Sequence, residues 1–128
     1  TMTKRTETIV VTCSEFDPLS EEEMKLLKSC KEKGDWLVVG LYSDWWLTHT
    51  RGGFVQKYDT RAEIVSNLKI VDEVFKFDDS DGTICNLLEI VKTVYRGSNI
   101  VFLSDPDTQQ MPEKKIKGIK FETMKQEN

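Results

Sequence analysis

The stretch that decides the fold is residues 9–41, which read IVVTCSEFDPLSEEEMKLLKSCKEKGDWLVVGL. Residues 9–13 and 36–41 are apolar runs without polar alternation, which is typical of strands buried on both faces of a parallel sheet. The charged segment between them, residues 20–33, has a helical pattern, so we predict a βαβ unit with a right-handed crossover. Its first loop, residues 14–19, would bring backbone N–H groups and a helix N-terminus to the carboxyl edge of the sheet. Phosphate-bearing ligands usually bind at such an edge.

The helix of this unit has recognisable signals at both ends. Ser20 followed by Glu23 is a capping box, in which the serine hydroxyl and the glutamate carboxylate satisfy backbone N–H groups reciprocally. Gly34 lies where the glycine that ends a helix is expected. The predicted buried stripe consists of Met24, Leu26, Leu27 and Cys30.

Strands and helices continue to alternate after residue 41, which predicts an α/β domain with a mainly parallel sheet. The predicted features are a loop without clear period over residues 43–57, a helix capped by Asp59, a third strand within residues 70–75, a turn over residues 78–82, a helix over residues 83–96, a fourth strand over residues 99–103 and a fifth over residues 118–121. The second long helix should turn its apolar side chains inward, namely Ile84, Leu87, Leu88, Val91 and Val94.

The length and composition fit one globular domain over residues 1–128. The chain is 38% hydrophobic and 31% charged, which is typical of a soluble protein large enough to bury its own core. Thr1 precedes Met2, so we expect residues 1–7 to be disordered or added during cloning. Residues 105–128 form a C-terminal segment with a short last strand.

Charge, hydropathy and cysteine usage exclude several classes of protein. The net charge of -4 and the pI near 5.1 argue against nucleic acid as a partner, because no broad basic face compensates the phosphates. No apolar run approaches the roughly 20 residues needed to span a bilayer, so we expect no membrane partner. The cysteines are odd in number and lack a C-x-x-C pattern; they are Cys13, Cys30 and Cys85. We expect them to be free thiols in a reducing cytosol, which predicts a cytoplasmic location.

The residues give no pattern for a metal site. The acidic run over residues 78–82 looks like part of a calcium loop, but its first and twelfth positions would be Phe77 and Leu88, where calcium needs oxygen. A helix-capping turn is the better interpretation. His49, the single histidine, lies near no other histidine or cysteine.

Two neighbouring tryptophans, Trp45 and Trp46, follow the second strand. They lie in a long segment, and such segments are often functional or mobile. Their rings could stack on a base, but more often such a pair covers a sheet edge or a protein partner.

Four stretches together carry a resemblance to a known family. Residues 14–23 read SEFDPLSEEE, residues 24–40 read MKLLKSCKEKGDWLVVG, residues 58–64 read YDTRAEI and residues 70–74 read IVDEV. In these stretches the chain resembles the cytidylyltransferase-like family of small nucleotidyltransferases, in particular its glycerol-3-phosphate cytidylyltransferases. The family has G-x-F-D-x-x-H-x-G-H at the first stretch.

The resemblance implies a fold, but the first motif of this chain differs from that of the family. It implies a three-layer, Rossmann-like nucleotidyltransferase fold with a five-stranded, mainly parallel sheet in the order 3-2-1-4-5. In the family, the two motif histidines bind the triphosphate and stabilise charge as pyrophosphate leaves. Here Ser20 and Glu23 occupy their positions and Glu22 that of the motif glycine. The family's hydroxyl-bearing signature near the C-terminus is missing, and the closest segment is residues 111–116.

The positions that the resemblance assigns to nucleotide binding are Ser14, Glu15, Phe16, Asp17, Arg51, Arg61, Ser104 and Asp105. Arg51 is one step out of register with a lysine-bearing loop of the family. Arg61 matches a family arginine, and its alternative role is a salt bridge on a helix surface. Asp17 has the alternative of closing the first turn.

Two functions follow from this comparison of motifs. The first is a degenerate family member that has lost cytidylyl transfer and binds a nucleotide such as CTP, another small ligand or a protein. The second is a divergent active nucleotidyltransferase that uses Mg²⁺ and moves a nucleotidyl group to a phosphorylated small alcohol. The resemblance also implies a homodimer, to which Trp45 and Trp46 could contribute.

Overall fold

The computed structural model describes residues 7–105 and 116–124. Its elements are β1 (Thr8–Ser14), α1 (Glu21–Lys33), β2 (Trp36–Leu41), α2 (Asp44–Arg51), α3 (Tyr58–Ser66), β3 (Glu73–Phe75), α4 (Cys85–Val94), β4 (Asn99–Ser104) and β5 (Ile119–Thr123). The predictions for residues 1–6, 106–115 and 125–128 lie outside the described residues. No helix in the described part of the chain is long and apolar enough to cross a membrane.

The five strands form one sheet in the order β3-β2-β1-β4-β5, and every neighbouring pair is parallel. The predicted strand order is confirmed. Because the strands are parallel, their carboxyl ends lie at one edge, and the register pairs Ser14 of β1 with Leu41 of β2. We call this edge, with the loops that follow β1, β2 and β4, the carboxyl edge.

Hydrophobic clusters cover both faces of the sheet and give the three layers. Successive side chains of a strand point to opposite faces, so Val11 belongs to the cluster that contains the α4 residues and Val10 to the cluster that contains the α1 residues. The buried α1 residues are Leu26, Leu27 and Cys30, whereas Met24 is only half-buried. On α4, Val94 is 55% exposed and not inward, because it lies in the last turn beyond the sheet contact.

The segment over residues 43–57 is not a loop throughout, because it contains the helix α2. Ser43 caps this helix by accepting a hydrogen bond from the Trp46 amide, and Gly52 ends it in the left-handed conformation with φ of 87°. The helix has eight residues and buries only Leu47. Two turns with one buried side chain are too short to show a helical period in the sequence.

One predicted cap is wrong, and two predicted features differ in detail, since the third strand is shorter than its predicted range and Gly34 ends α1 without the left-handed conformation. Helix α3 begins at Tyr58 with Lys57 as its N-cap, so Asp59 lies in its first turn and does not cap it. The third strand is only Glu73–Phe75. Gly34 has an extended φ of -161°, and a Cβ atom there would lie 2.7 Å from Cγ2 of Val10. Glycine is therefore needed at this position for close packing.

Candidate functional site

The site begins where β1 ends. Phe16 has a φ of 50°, a left-handed conformation that is uncommon for residues other than glycine. Its ring is only 1% exposed and belongs to the cluster on the α1 face. Burial of the ring therefore holds the backbone of the β1–α1 loop (residues 15–20) in a turn that brings this loop over the N-terminus of α1.

The Glu23 carboxylate binds across this loop. The predicted capping box is present, since the Glu23 amide donates to Ser20 Oγ and the Ser20 amide donates to Glu23 Oε1, each at 3.1 Å. The other carboxylate oxygen, Oε2, accepts from Ser14 Oγ at 2.6 Å and from the Phe16 amide at 2.8 Å. A negative side chain thus lies at the positive end of the α1 dipole and uses donors that face the carboxyl edge. The capping box was predictable, but the contacts with Ser14 and Phe16 were not.

Arg51, the last residue of α2, is held by two carboxylates. Its Nη1 donates to Glu15 Oε1 at 2.5 Å, and its Nη2 donates to Asp17 Oδ2 at 3.0 Å. The side chain of Asp17 is fully buried, whereas those of Arg51 and Glu15 are 34% and 41% exposed. The arginine charge at the surface of the site is therefore already neutralised from within the chain.

Asp17 also anchors the segment that follows α2. Its two carboxylate oxygens accept from the amides of Val55 at 2.7 Å and Gln56 at 2.6 Å. Burial acts to raise the pKa of this carboxyl, but the two amide hydrogen bonds and the charges of the two nearby arginines lower it. The balance leaves the pKa of Asp17 below its ordinary value of 3.8. Asp17 therefore does more than close the first turn, because it joins the loop after β1 to the segment before α3.

Arg61 lies in the interior, so the expected alternative of a helix-surface salt bridge is wrong. It is 0% exposed, and its guanidinium donates to the carbonyls of Glu15, Tyr42 and Gln56 at 2.7–2.9 Å. Its Nη2 also pairs with Asp44 Oδ1 at 2.8 Å. A direct contact between Arg61 and a nucleotide remains a prediction, and it would require the guanidinium to release some of these acceptors.

A second buried carboxylate was missed by sequence reasoning. Asp79 is 3% exposed and accepts from both the amide and the hydroxyl of Ser43 at 2.7 Å. It therefore fixes the start of α2 from the turn after β3. Its neighbours Asp78 and Asp81 are exposed, and their carboxylates accept from the nearby amides of Ser80 and Thr83. The acidic run was visible in the sequence, but a turn has no period that tells which acid faces inward.

The remaining predicted residues lie at or near the same edge. Ser104 is the last residue of β4, the neighbour of β1, and Asp105 follows it; Ser104 Oγ donates to the Glu122 carbonyl of β5 at 3.4 Å. Trp46 stacks on Tyr42 with ring centroids 4.6 Å apart, which covers the end of β2.

The chemistry available at this edge is set by its charges. Within residues 7–105 and 116–124, no group of three or more His, Cys, Asp or Glu side chains is arranged to hold a metal ion. The two arginines are both bonded to acceptors of the chain, and carboxylates surround them. The structure therefore brings together residues 14–17, Arg51 and Arg61, but the arginine N–H groups donate to oxygens of Glu15 and Asp17 within the same set of residues.

Comparison with known proteins places the fold. No family model matches the chain. The bifunctional protein HldE of Campylobacter concisus is 34% identical over 102 residues, which cover 73% of this chain, and the chain spans only 21% of the length of that relative. The lipopolysaccharide core biosynthesis protein of Thermoplasma volcanium has a TM-score of 0.75 at 19% identity and covers 95% of this chain and 99% of its own.

A second solved structure agrees with the first. A putative nicotinate-nucleotide adenylyltransferase of Vibrio parahaemolyticus has a TM-score of 0.65 at 17% identity, covering 91% of this chain and 72% of its own. Together with the parallel sheet in the order 3-2-1-4-5, these neighbours define the fold as the Rossmann-like fold of nucleotidyltransferases.

Proposed function

We propose that this chain is a degenerate nucleotidyltransferase that has lost nucleotidyl transfer and serves as a ligand-binding or protein-interaction module. The observation that carries the proposal is the Glu23 carboxylate, which accepts from the Phe16 amide and the Ser14 hydroxyl. These donors lie where the resemblance places the nucleotide phosphates. A carboxylate of the chain therefore occupies them in place of a ligand oxygen.

The energetic argument concerns the charge at the transferring phosphate. Phosphoryl transfer depends on preorganised positive groups and hydrogen-bond donors around that phosphate. Loss of one such donor costs about 2.7–4 kcal/mol of transition-state stabilisation, and Ser20 and Glu23 stand at both histidine positions. Glu23 additionally repels the phosphate, and Arg51 is neutralised by Glu15 and Asp17.

The relatives support the class of ligand without identifying it. One solved neighbour is described as an adenylyltransferase, and the sequence relative is a bifunctional protein much longer than this chain. A nucleotide such as CTP is therefore the first ligand to test, and the acceptor of a transfer reaction would be a phosphorylated small alcohol.

The direct test is pyrophosphate release from CTP with glycerol 3-phosphate, in the presence and absence of Mg²⁺. We expect no release above a blank without protein. Measurable release that depends on Mg²⁺ would overturn the proposal and favour the divergent active enzyme. In that enzyme Asp17 or the glutamates over residues 21–23 would have to hold the metal, although Asp17 and Glu23 already accept hydrogen bonds on both carboxylate oxygens.

Calorimetric titration separates the two remaining forms of the proposal. CTP and then ATP are titrated with and without Mg²⁺ into the wild type and into Arg51→Ala, with Lys57→Ala as an exposed control cation nearby. Binding between about 1 μM and 1 mM that is lost only in Arg51→Ala identifies a nucleotide-binding module. Absence of heat with every nucleotide turns the search to protein partners, for which Trp45, 45% exposed, is the first residue to test for homodimer formation.

A further inference from the structure

Arg61 is among the largest fully buried side chains of the domain, and its acceptors are four residues that lie in three segments. Glu15 belongs to the β1–α1 loop, Tyr42 follows β2, Asp44 begins α2 and Gln56 precedes α3. The guanidinium is a rigid planar group with five N–H donors, so four short bonds to three segments fix the relative positions of those segments.

The segments that Arg61 holds are the same ones that place Arg51. Glu15 provides one carboxylate partner of Arg51, and its carbonyl is bonded to Arg61 at 2.9 Å. Gln56 provides an amide to Asp17, the other partner of Arg51, and its carbonyl is bonded to Arg61 at 2.9 Å. One carboxylate that binds Arg51 therefore belongs to Glu15, whose own carbonyl is bonded to Arg61. The other, on Asp17, accepts from the amide of Gln56, whose carbonyl is also bonded to Arg61.

We propose that Arg61 is a positioning residue, which sets the arrangement of the loops around Arg51 and is not a contact for a ligand at the carboxyl edge. Its full burial leaves no surface for a ligand, whereas the Arg51 side chain is 34% exposed. The part of this inference that concerns a ligand rests on the proposed function, and the part that concerns the loops does not.

The test uses Arg61→Lys, which keeps the charge but has one nitrogen and cannot reach four acceptors in a plane. The matched control is Thr12→Val, because Thr12 is buried and its hydroxyl donates to the Leu103 carbonyl at 2.7 Å within the sheet. Hydrogen exchange of the full chain is compared at urea concentrations that give both variants the same global stability. We expect the Val55 and Gln56 amides to exchange about tenfold faster in Arg61→Lys than in Thr12→Val. Equal exchange rates would overturn the inference, since a merely structural arginine lowers stability without singling out these amides.

Two further measurements keep the outcome decisive. If Arg61→Lys does not fold, Asp44→Asn weakens a single bond of the guanidinium and should accelerate the same amides in the same direction, and no acceleration would overturn the inference. Inorganic pyrophosphate is then titrated into the wild type and Arg61→Lys. If the wild type binds pyrophosphate, about tenfold weaker binding by Arg61→Lys supports the positioning role of Arg61. Equal affinity of the two proteins would count against that role. Where the wild type does not bind pyrophosphate, the nucleotide-binding form of the proposed function is weakened, while the exchange result still decides the role of Arg61.

Discussion

Two arginines lie at the carboxyl edge of the sheet and differ in what they are bonded to. Arg61 is fully buried and donates mainly to backbone carbonyls, whereas Arg51 is partly exposed and is bonded to two carboxylates. Backbone carbonyls cannot move away without rearranging the loops that carry them. Of the two carboxylates, Glu15 lies at the surface, and a surface carboxylate can exchange for another anion.

This difference separates structure from ligand chemistry within one site. Arg61 would be needed even if the domain bound nothing, because it satisfies three backbone carbonyls in partly buried positions and its own charge is fully buried. Arg51 is the group that an anionic ligand would use, and in this chain Glu15 and Asp17 compete with such a ligand. The two arginines show that this edge keeps the architecture of the fold while its surface charge is neutralised.

The largest effect is expected for Arg61→Ala, which removes the interior arginine. We expect a loss of about 3–5 kcal/mol in the free energy of unfolding, because the substitution removes a donor from three partly buried carbonyls and the arginine partner of Asp44. Urea unfolding measures it, with the exposed neighbour Thr60→Ala as the control. A loss below about 1 kcal/mol, the range of an exposed ion pair, would remove the distinction between the two arginines.

A smaller loss in the free energy of unfolding is expected for Asp17→Asn. The substitution keeps the shape of the side chain that joins the loop after β1 to the segment before α3. The pKa of Asp17 is lower in the folded state than its ordinary value of 3.8. Ionised Asp17 therefore stabilises the fold at pH values above 3.8, and this contribution disappears as the pH falls through the folded pKa. We expect the variant to be less stable than wild type by about 1.5–3 kcal/mol near pH 7 and by much less near pH 2. Urea unfolding at both pH values tests this, and a difference that is independent of pH would contradict it.

Glu23→Gln sharpens the comparison at the loop end of the site. The amide keeps an acceptor for the capping box, so we expect a cost of about 0.5–1 kcal/mol in stability. Removal of the negative charge should strengthen binding of inorganic pyrophosphate by about tenfold, since one repulsive charge is lost at a few ångströms. Calorimetry measures the affinity, and Glu22→Gln is the control for a nearby exposed glutamate. Equal gains in both variants would show that net charge, and not the position of Glu23, controls binding.

The smallest effect on stability is expected for Arg51→Ala. Its pair with Glu15 is exposed, and the buried Asp17 keeps its hydrogen bonds from the Val55 and Gln56 amides after the substitution, so the loss should be about 1 kcal/mol and should shrink further at high salt. Urea unfolding in low and high salt measures this dependence. The stability lost in Arg61→Ala should be almost the same at both salt concentrations. A large loss that is insensitive to salt would mean that Arg51 is as structural as Arg61.

Much of the fold was predictable because its signals are local in sequence. The apolar runs of β1 and β2, the capping box of α1 and the alternation of strands with helices each depend on residues a few positions apart. The strand order came from the resemblance and is confirmed by the parallel pairing. Helix α2 was missed because its two turns bury only one side chain.

The candidate site was predictable only as a set of positions. The residues at 14–17, Arg51 and Arg61 do come together, but no sequence pattern indicates that Glu23 reaches Ser14 and the Phe16 amide. It also did not distinguish Asp79, which is buried against Ser43, from its exposed acidic neighbours.

The sequence by itself determined the βαβ unit, the capping box of α1 and the alternation of strands with helices that defines the class of fold. Only the tertiary structure decided that Arg61 is an interior group and that Arg51 is neutralised. Arg61 accordingly bonds to carbonyls 19 and 46 residues away, and Arg51 to carboxylates 34 and 36 residues away. Partners at such separations are set by how the loops meet at the carboxyl edge, and no periodicity or local propensity encodes which acceptor a charged side chain will meet there.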